Sequence, residues 1–96
     1  MQQTHELKTL ARYFEAVERG DKTFEVRLND RAFQTGDTIT LVKMDNEGKL
    51  YETPPGSLFG RITLKRKITY VLQGGQFGID PRYCVLGLGP VENTDD

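Results

Sequence analysis

The sequence predicts a small α+β domain, one helix and about five short strands built on a curled sheet or small β-barrel. Three observations predict it. A single stripe of helical period runs from Leu10 to Val17 and is followed by Gly20. Several short segments of period two follow, separated by glycine-containing turns. At 96 residues the chain has room for one domain with one modest core.

Taken in order, His5-Glu6-Leu7-Lys8 reads as a short extended segment. Leu10, Tyr13, Phe14 and Val17 then share one helical face, with Thr9 as the expected N-cap and Gly20 where a left-handed residue stops a helix. A strand is expected from Thr23 to Leu28. Alternation there puts Phe24, Val26 and Leu28 on one face, read as core, and Thr23, Glu25 and Arg27 on the other. Gln34-Thr35-Gly36-Asp37 is a turn, residues 38–44 alternate as a strand, and Asp45-Asn46-Glu47-Gly48 is a hairpin tip. Residues 49–59, broken by Pro54-Pro55-Gly56, read as a surface loop. Residues 61–73 read as a long strand in which Arg66 falls on the apolar parity, the mark of a bulge or of a strand leaving the core. Gly74 to Gly78 is a loop, and residues 83–88 form a last strand, apolar on both faces. The domain is expected over residues 1–90, with residues 91–96 an acidic, disordered tail.

Composition narrows the function classes. Hydrophobic residues at 36% and charged residues at 28% are ordinary for a soluble domain. The net charge is −1. Three of the 14 acids lie in the tail, so 13 bases face 11 acids in the body. A local basic groove is compatible with that balance. The one cysteine, Cys84, excludes an internal disulfide, and one histidine with one cysteine cannot make a structural zinc site. No cofactor motif is present: the Gly74–Gly78 loop is not G-x-G-x-x-G, there is no G-x-x-x-x-G-K-[ST], and Ser57 is not in a nucleophile elbow. The polar N-terminus and the lack of a long apolar run predict a cytoplasmic protein with no membrane contact.

The candidate site lies between Gly20 and Arg31, where Lys22, Thr23, Glu25, Arg27, Asp30 and Arg31 crowd a helix-to-strand junction. Glu25 and Arg27 read either as part of this site or as an exposed ion pair of little energetic weight. Asn29-Asp30-Arg31 reads as a turn, or as the place where the Arg31 guanidinium meets an anion. Arg61, Lys65, Arg66 and Lys67 form either a phosphate-tracking groove or a solvated strand face. His5 has no visible partner and reads as a surface or structural residue. Cys84 reads as an inert core residue. Tyr13, Phe14, Phe24 and Tyr70 fit core positions, while Phe33, Tyr51, Phe59, Phe77 and Tyr83 are freer to anchor loops or stack on a base.

Gly20-x-Lys22-x-x-Glu25-x-Arg27 resembles the signature of the ASCH domain superfamily, which has a PUA-like fold. The flanking His5-Glu6-Leu7-Lys8, Tyr13-Phe14, Asn29-Asp30-Arg31-x-Phe33, Gly36-Asp37, Ile68-Thr69-Tyr70-Val71 and Val85-Leu86-Gly87-Leu88 are similar to a small bacterial and phage branch of unknown function. The resemblance implies a PUA-like β-barrel with its helix beside a cleft lined by Lys22, Glu25 and Arg27. It implies RNA or a modified nucleoside as ligand. Some relatives are ribonucleases, and one branch is an amidohydrolase of an acetylated cytidine with catalytic Lys, Thr and a distant Glu. The Lys corresponds to Lys22, but the Thr position falls on Glu25, and Thr23 lies two residues earlier.

Three functions follow as expectations. The first is an RNA- or nucleoside-binding module, with Arg27 and Arg31 on phosphate or a base edge, Glu25 on an exocyclic amine, and a stacking aromatic. The second is a small hydrolase using Lys22 as base, Glu25 as its acid–base partner and Arg27 on developing negative charge. The third is a protein-interaction domain of phage or mobile-element origin. A monomer is the favoured state.

Overall fold

The computed structural model describes residues 2–50 and 61–91, so most of the 49–59 loop and of the acidic tail lies outside the described residues. The elements are β1 (Thr4–Leu10), α1 (Ala11–Arg19), β2 (Phe24–Leu28), β3 (Thr38–Met44), β4 (Thr63–Gln73) and β5 (Tyr83–Gly89). They form one mixed five-stranded sheet in the order β1-β3-β4-β5-β2, with β1 parallel to β3 and the other pairs antiparallel. The expected barrel does not close. β1 and β2 are edge strands with no backbone ladder between them. Among the described residues no helix is long and apolar enough to cross a membrane.

The helix stops where the sequence says it should. Gly20 takes φ 86°, which a residue without a Cβ adopts at little cost, and its amide and that of Asp21 donate to Val17 O and Ala16 O, both at 3.0 Å. Its start differs from expectation. Leu10 occupies the N-cap without a side-chain bond, and Thr9 belongs to β1. The Thr9 hydroxyl instead donates to Leu7 O at 3.1 Å. Helix α1 packs over β1 and β3, burying Phe14 and Val17 against Leu7, Ile39, Leu41, Ile68, Leu86 and Leu88. Arg66, expected to mark a bulge or a strand leaving the core, instead turns inward opposite Ile39 and donates to Val17 O at 3.3 Å, so it serves the carbonyl end of the helix. The bulge lies farther along, between Ile68 and Tyr70. Cys84 is in the core, as expected.

The alternation expected in β2 is present, but its faces are reversed. Glu25 is 4% exposed, whereas Phe24, Val26 and Leu28 are 44%, 50% and 46% exposed. Register explains the reversal: Glu25 lies opposite Leu86 and Arg27 opposite Cys84, both core residues, and opposite residues share a face. Tyr13, Phe24 and Tyr70 are likewise exposed rather than core, and Phe33 is buried rather than free.

His5 has a partner that the sequence did not show. It lies buried on β1 with Nε2 2.8 Å from Asp37 Oδ2, its ring edge-on to Phe33. Asp37 also accepts the amides of Gln3 and Gln34, each at 3.1 Å. Burial alone pushes the Asp37 carboxyl up, but these three hydrogen bonds outweigh it and hold the group below its ordinary value of 3.8. The folded chain therefore takes up this proton less readily than the unfolded chain. The stabilisation is complete above about pH 3.8 and is lost as pH falls through the lower folded value. Asp37→Asn should cost about 1–3 kcal/mol at neutral pH, and the difference from wild type should shrink on acidification. Urea denaturation of both proteins between pH 2 and 7 checks this, and a constant difference would contradict it.

Candidate ligand cleft at the free edge of β2

The sheet curls far enough for side chains to span the gap between its two edges. Gln3 O accepts from Thr38 N, so the carbonyls of that parity face β3, and those of Glu6 and Lys8 face outward. Arg27 Nη1 donates to Lys8 O at 3.0 Å and Nη2 to Thr9 Oγ1 at 2.9 Å. Arg31 Nη1 donates to Glu6 O at 2.6 Å. Two guanidinium groups thus stand where backbone amides would close a barrel.

Glu25 organises this seam. Its Oε1 accepts from Arg27 Nε at 3.1 Å and its Oε2 from Lys22 Nζ at 2.7 Å. A buried carboxylate without such partners would cost several kcal/mol. Lys22 also donates to Phe24 O at 2.8 Å, and its ammonium lies 4.9 Å from the Phe24 ring centroid and 5.5 Å from that of Tyr13.

These groups enclose a cleft of about 410 Å³, lined by Tyr13, Lys22, Phe24, Glu25 and Val26. Tyr13 from the helix and Phe24 from the strand supply ring surface, and Glu25 supplies acceptors. A separate hollow of about 110 Å³ lies along the seam, with Arg27, Asp30 and Arg31 on its walls. Thr23 lines a third cavity of about 360 Å³ together with Lys22 and Arg66. The structure therefore brings Lys22, Glu25 and Arg27 into mutual contact and puts Asp30 and Arg31 beside the neighbouring hollow, while Thr23 opens the other way. Of the proposed basic groove, Arg61 pairs with Glu6 at 2.8 Å and Arg66 with the helix end, both away from the cleft. Among the described residues no group of three or more His, Cys, Asp and Glu gathers as a metal site.

Tyr13, Phe24 and Val26 are the cleft residues that sequence reasoning missed. Tyr13 lies on the apolar stripe, and only its position at the stripe's rim next to exposed Arg12 hints at exposure. Phe24 and Val26 alternate with Glu25 and Arg27, so both read as the core face.

Fold and cleft together define a small α+β domain with a solvent-facing polar and aromatic cleft between its helix and an edge strand. The family model described as "Domain of unknown function (DUF3850)" matches residues 4–88, and the chain belongs to that family. No curated protein matches the chain.

Removing the shared acceptor should loosen the seam. Glu25→Ala leaves Lys22 and Arg27 without their common counter-charge and is expected to cost about 2–3 kcal/mol. Urea denaturation measures it, and a change below about 0.5 kcal/mol, the range of an ordinary surface substitution, would contradict this account.

Proposed function

We propose that the chain is an ASCH-like binding module for an unpaired nucleobase, carried by RNA or by a free, including modified, nucleoside. The observation that carries this reading is the buried Glu25 carboxylate on the wall of a cleft whose other walls are two aromatic rings and an ammonium. A planar heterocycle with an exocyclic amine matches those groups: rings stack on it and a carboxylate accepts from it. Among the described residues each Glu25 oxygen has one protein donor, and a carboxylate oxygen has a second lone pair. In this reading Arg27 positions Glu25, and Arg31, beside the adjoining hollow, attracts a phosphate attached to the base. The near-neutral chain suits recognition through stacking and edge contacts rather than through a wide basic surface.

The contact of Lys22 with Glu25 favours a second reading, a hydrolase of modified nucleosides or RNA. A lysine base needs its nitrogen lone pair, whereas here Lys22 Nζ serves as a donor to Glu25 and to Phe24 O. The binding reading uses the arrangement as it stands.

Titration of the isotope-labelled chain with nucleosides, short RNAs and phosphate should shift amides at residues 13 and 22–26. Tyr13 is 43% exposed, so Tyr13→Ala should leave stability unchanged. It should also weaken binding by about tenfold, the lower range of an aromatic–base stack. Silent amides across this region would refute the proposal. Incubation with N-acylated nucleosides and with RNA should give no product that depends on Lys22. Turnover abolished in Lys22→Ala would move the assignment to the hydrolase.

A further inference from the structure

The free edge of β2 carries hydrogen-bonding groups that no side-chain inventory includes. Leu88 N donates to Thr23 O at 2.9 Å and Asn29 N to Arg82 O at 2.8 Å. Because main-chain groups alternate sides along an antiparallel strand, residues 23, 25, 27 and 29 bond to β5, and Phe24, Val26 and Leu28 turn theirs to the open side. Two of the three carbonyls there are already taken: Phe24 O by Lys22 Nζ at 2.8 Å and Leu28 O by Asp30 N at 2.9 Å. Among the described residues nothing pairs with the amide or the carbonyl of Val26. Val26 also lines the cleft, between the Phe24 ring and the Arg27 seam.

This is an edge open for one residue. An extended peptide adding itself to β2 needs successive donors and acceptors, and the neighbouring carbonyls are occupied. A flat heterocycle needs one donor and one acceptor side by side, which every base presents on its Watson–Crick edge.

We propose that the main chain of Val26 reads the Watson–Crick edge of the base held in the cleft, its N–H donating to the base and its C=O accepting from it. The inference rests on the binding function proposed above and adds to it a class of ligand: bases whose pairing edge is free. Duplex RNA and bases methylated on a pairing nitrogen are excluded because the same atoms are engaged or covered.

The test compares cytidine with 3-methylcytidine and guanosine with 1-methylguanosine, with 5-methylcytidine as a methylated base whose pairing edge is intact. Methylation of the pairing nitrogen should weaken binding by about tenfold or more, and 5-methylcytidine should bind like cytidine. Val26→Pro removes the unpaired N–H, and a strand edge facing away from the ladder tolerates it. Val26→Pro should bind about tenfold more weakly than Val26→Ala, which keeps the main-chain pair. Nucleosides that bind equally with and without the blocking methyl group overturn this inference while leaving the cleft as a binding site. Nucleosides and short RNAs that shift no amide overturn both. Should Val26→Pro fail to fold, the methylated nucleosides decide the question on the wild-type chain.

Discussion

Glu25 is the constraint on which the rest of the molecule depends. A carboxylate at 4% exposure is stable only with compensating donors, and among the described residues it has two: Lys22 from the turn after the helix and Arg27 from two residues along the strand. The first contact fixes the path between α1 and β2. The second aims the Arg27 guanidinium across the gap to Lys8 O and Thr9 Oγ1, which places the edge strand β1 against β2 without a ladder. The seam thereby covers the outward carbonyls of Glu6 and Lys8 on β1, which is one means of blunting an exposed strand.

The same arrangement produces the cleft. A closed barrel would spend the outward groups of β2 on β1. A seam held by side chains leaves the first half of that edge open, where Tyr13 and Phe24 face it and Lys22 spans their rings. The site is thus a consequence of incomplete closure: the charged cluster that holds the sheet edges together also forms one wall of the cleft. The residues expected to form the site are present there, but their work is divided. Lys22 and Glu25 face the cleft, Arg27 is committed to the seam, Asp30 and Arg31 border a smaller hollow, and Thr23 opens elsewhere.

Much of this was legible in the chain because it depends on local chemistry. The stop at Gly20, the turns at Gly36 and Gly48, the strands and the clustering of Lys22, Glu25 and Arg27 follow from backbone freedom, alternation and short separations. Partners distant in sequence were not legible. Nothing near His5 announces Asp37, 32 residues away, and nothing near Arg27 announces Thr9, 18 residues before it. Nor does the helical stripe tell that Tyr13 stays at the rim while Phe14 goes in, since adjacent positions at the edge of a stripe differ only in what the neighbouring elements cover.

The sequence by itself determined which residues of β2 share a face, where the helix ends and which side chains crowd the junction. Only the tertiary structure decided which face of β2 is inside. Alternation is symmetric: it separates Phe24, Val26 and Leu28 from Glu25 and Arg27 without saying which set is buried. Hydrophobicity alone favours the wrong set. The answer came from register with β5, which puts Glu25 opposite Leu86, and from donors and acceptors on Lys22, Lys8 and Thr9 that make a buried carboxylate and guanidinium tolerable. With the polar pair satisfied inside, the apolar residues remain outside, and the main chain of Val26 stays open at the edge.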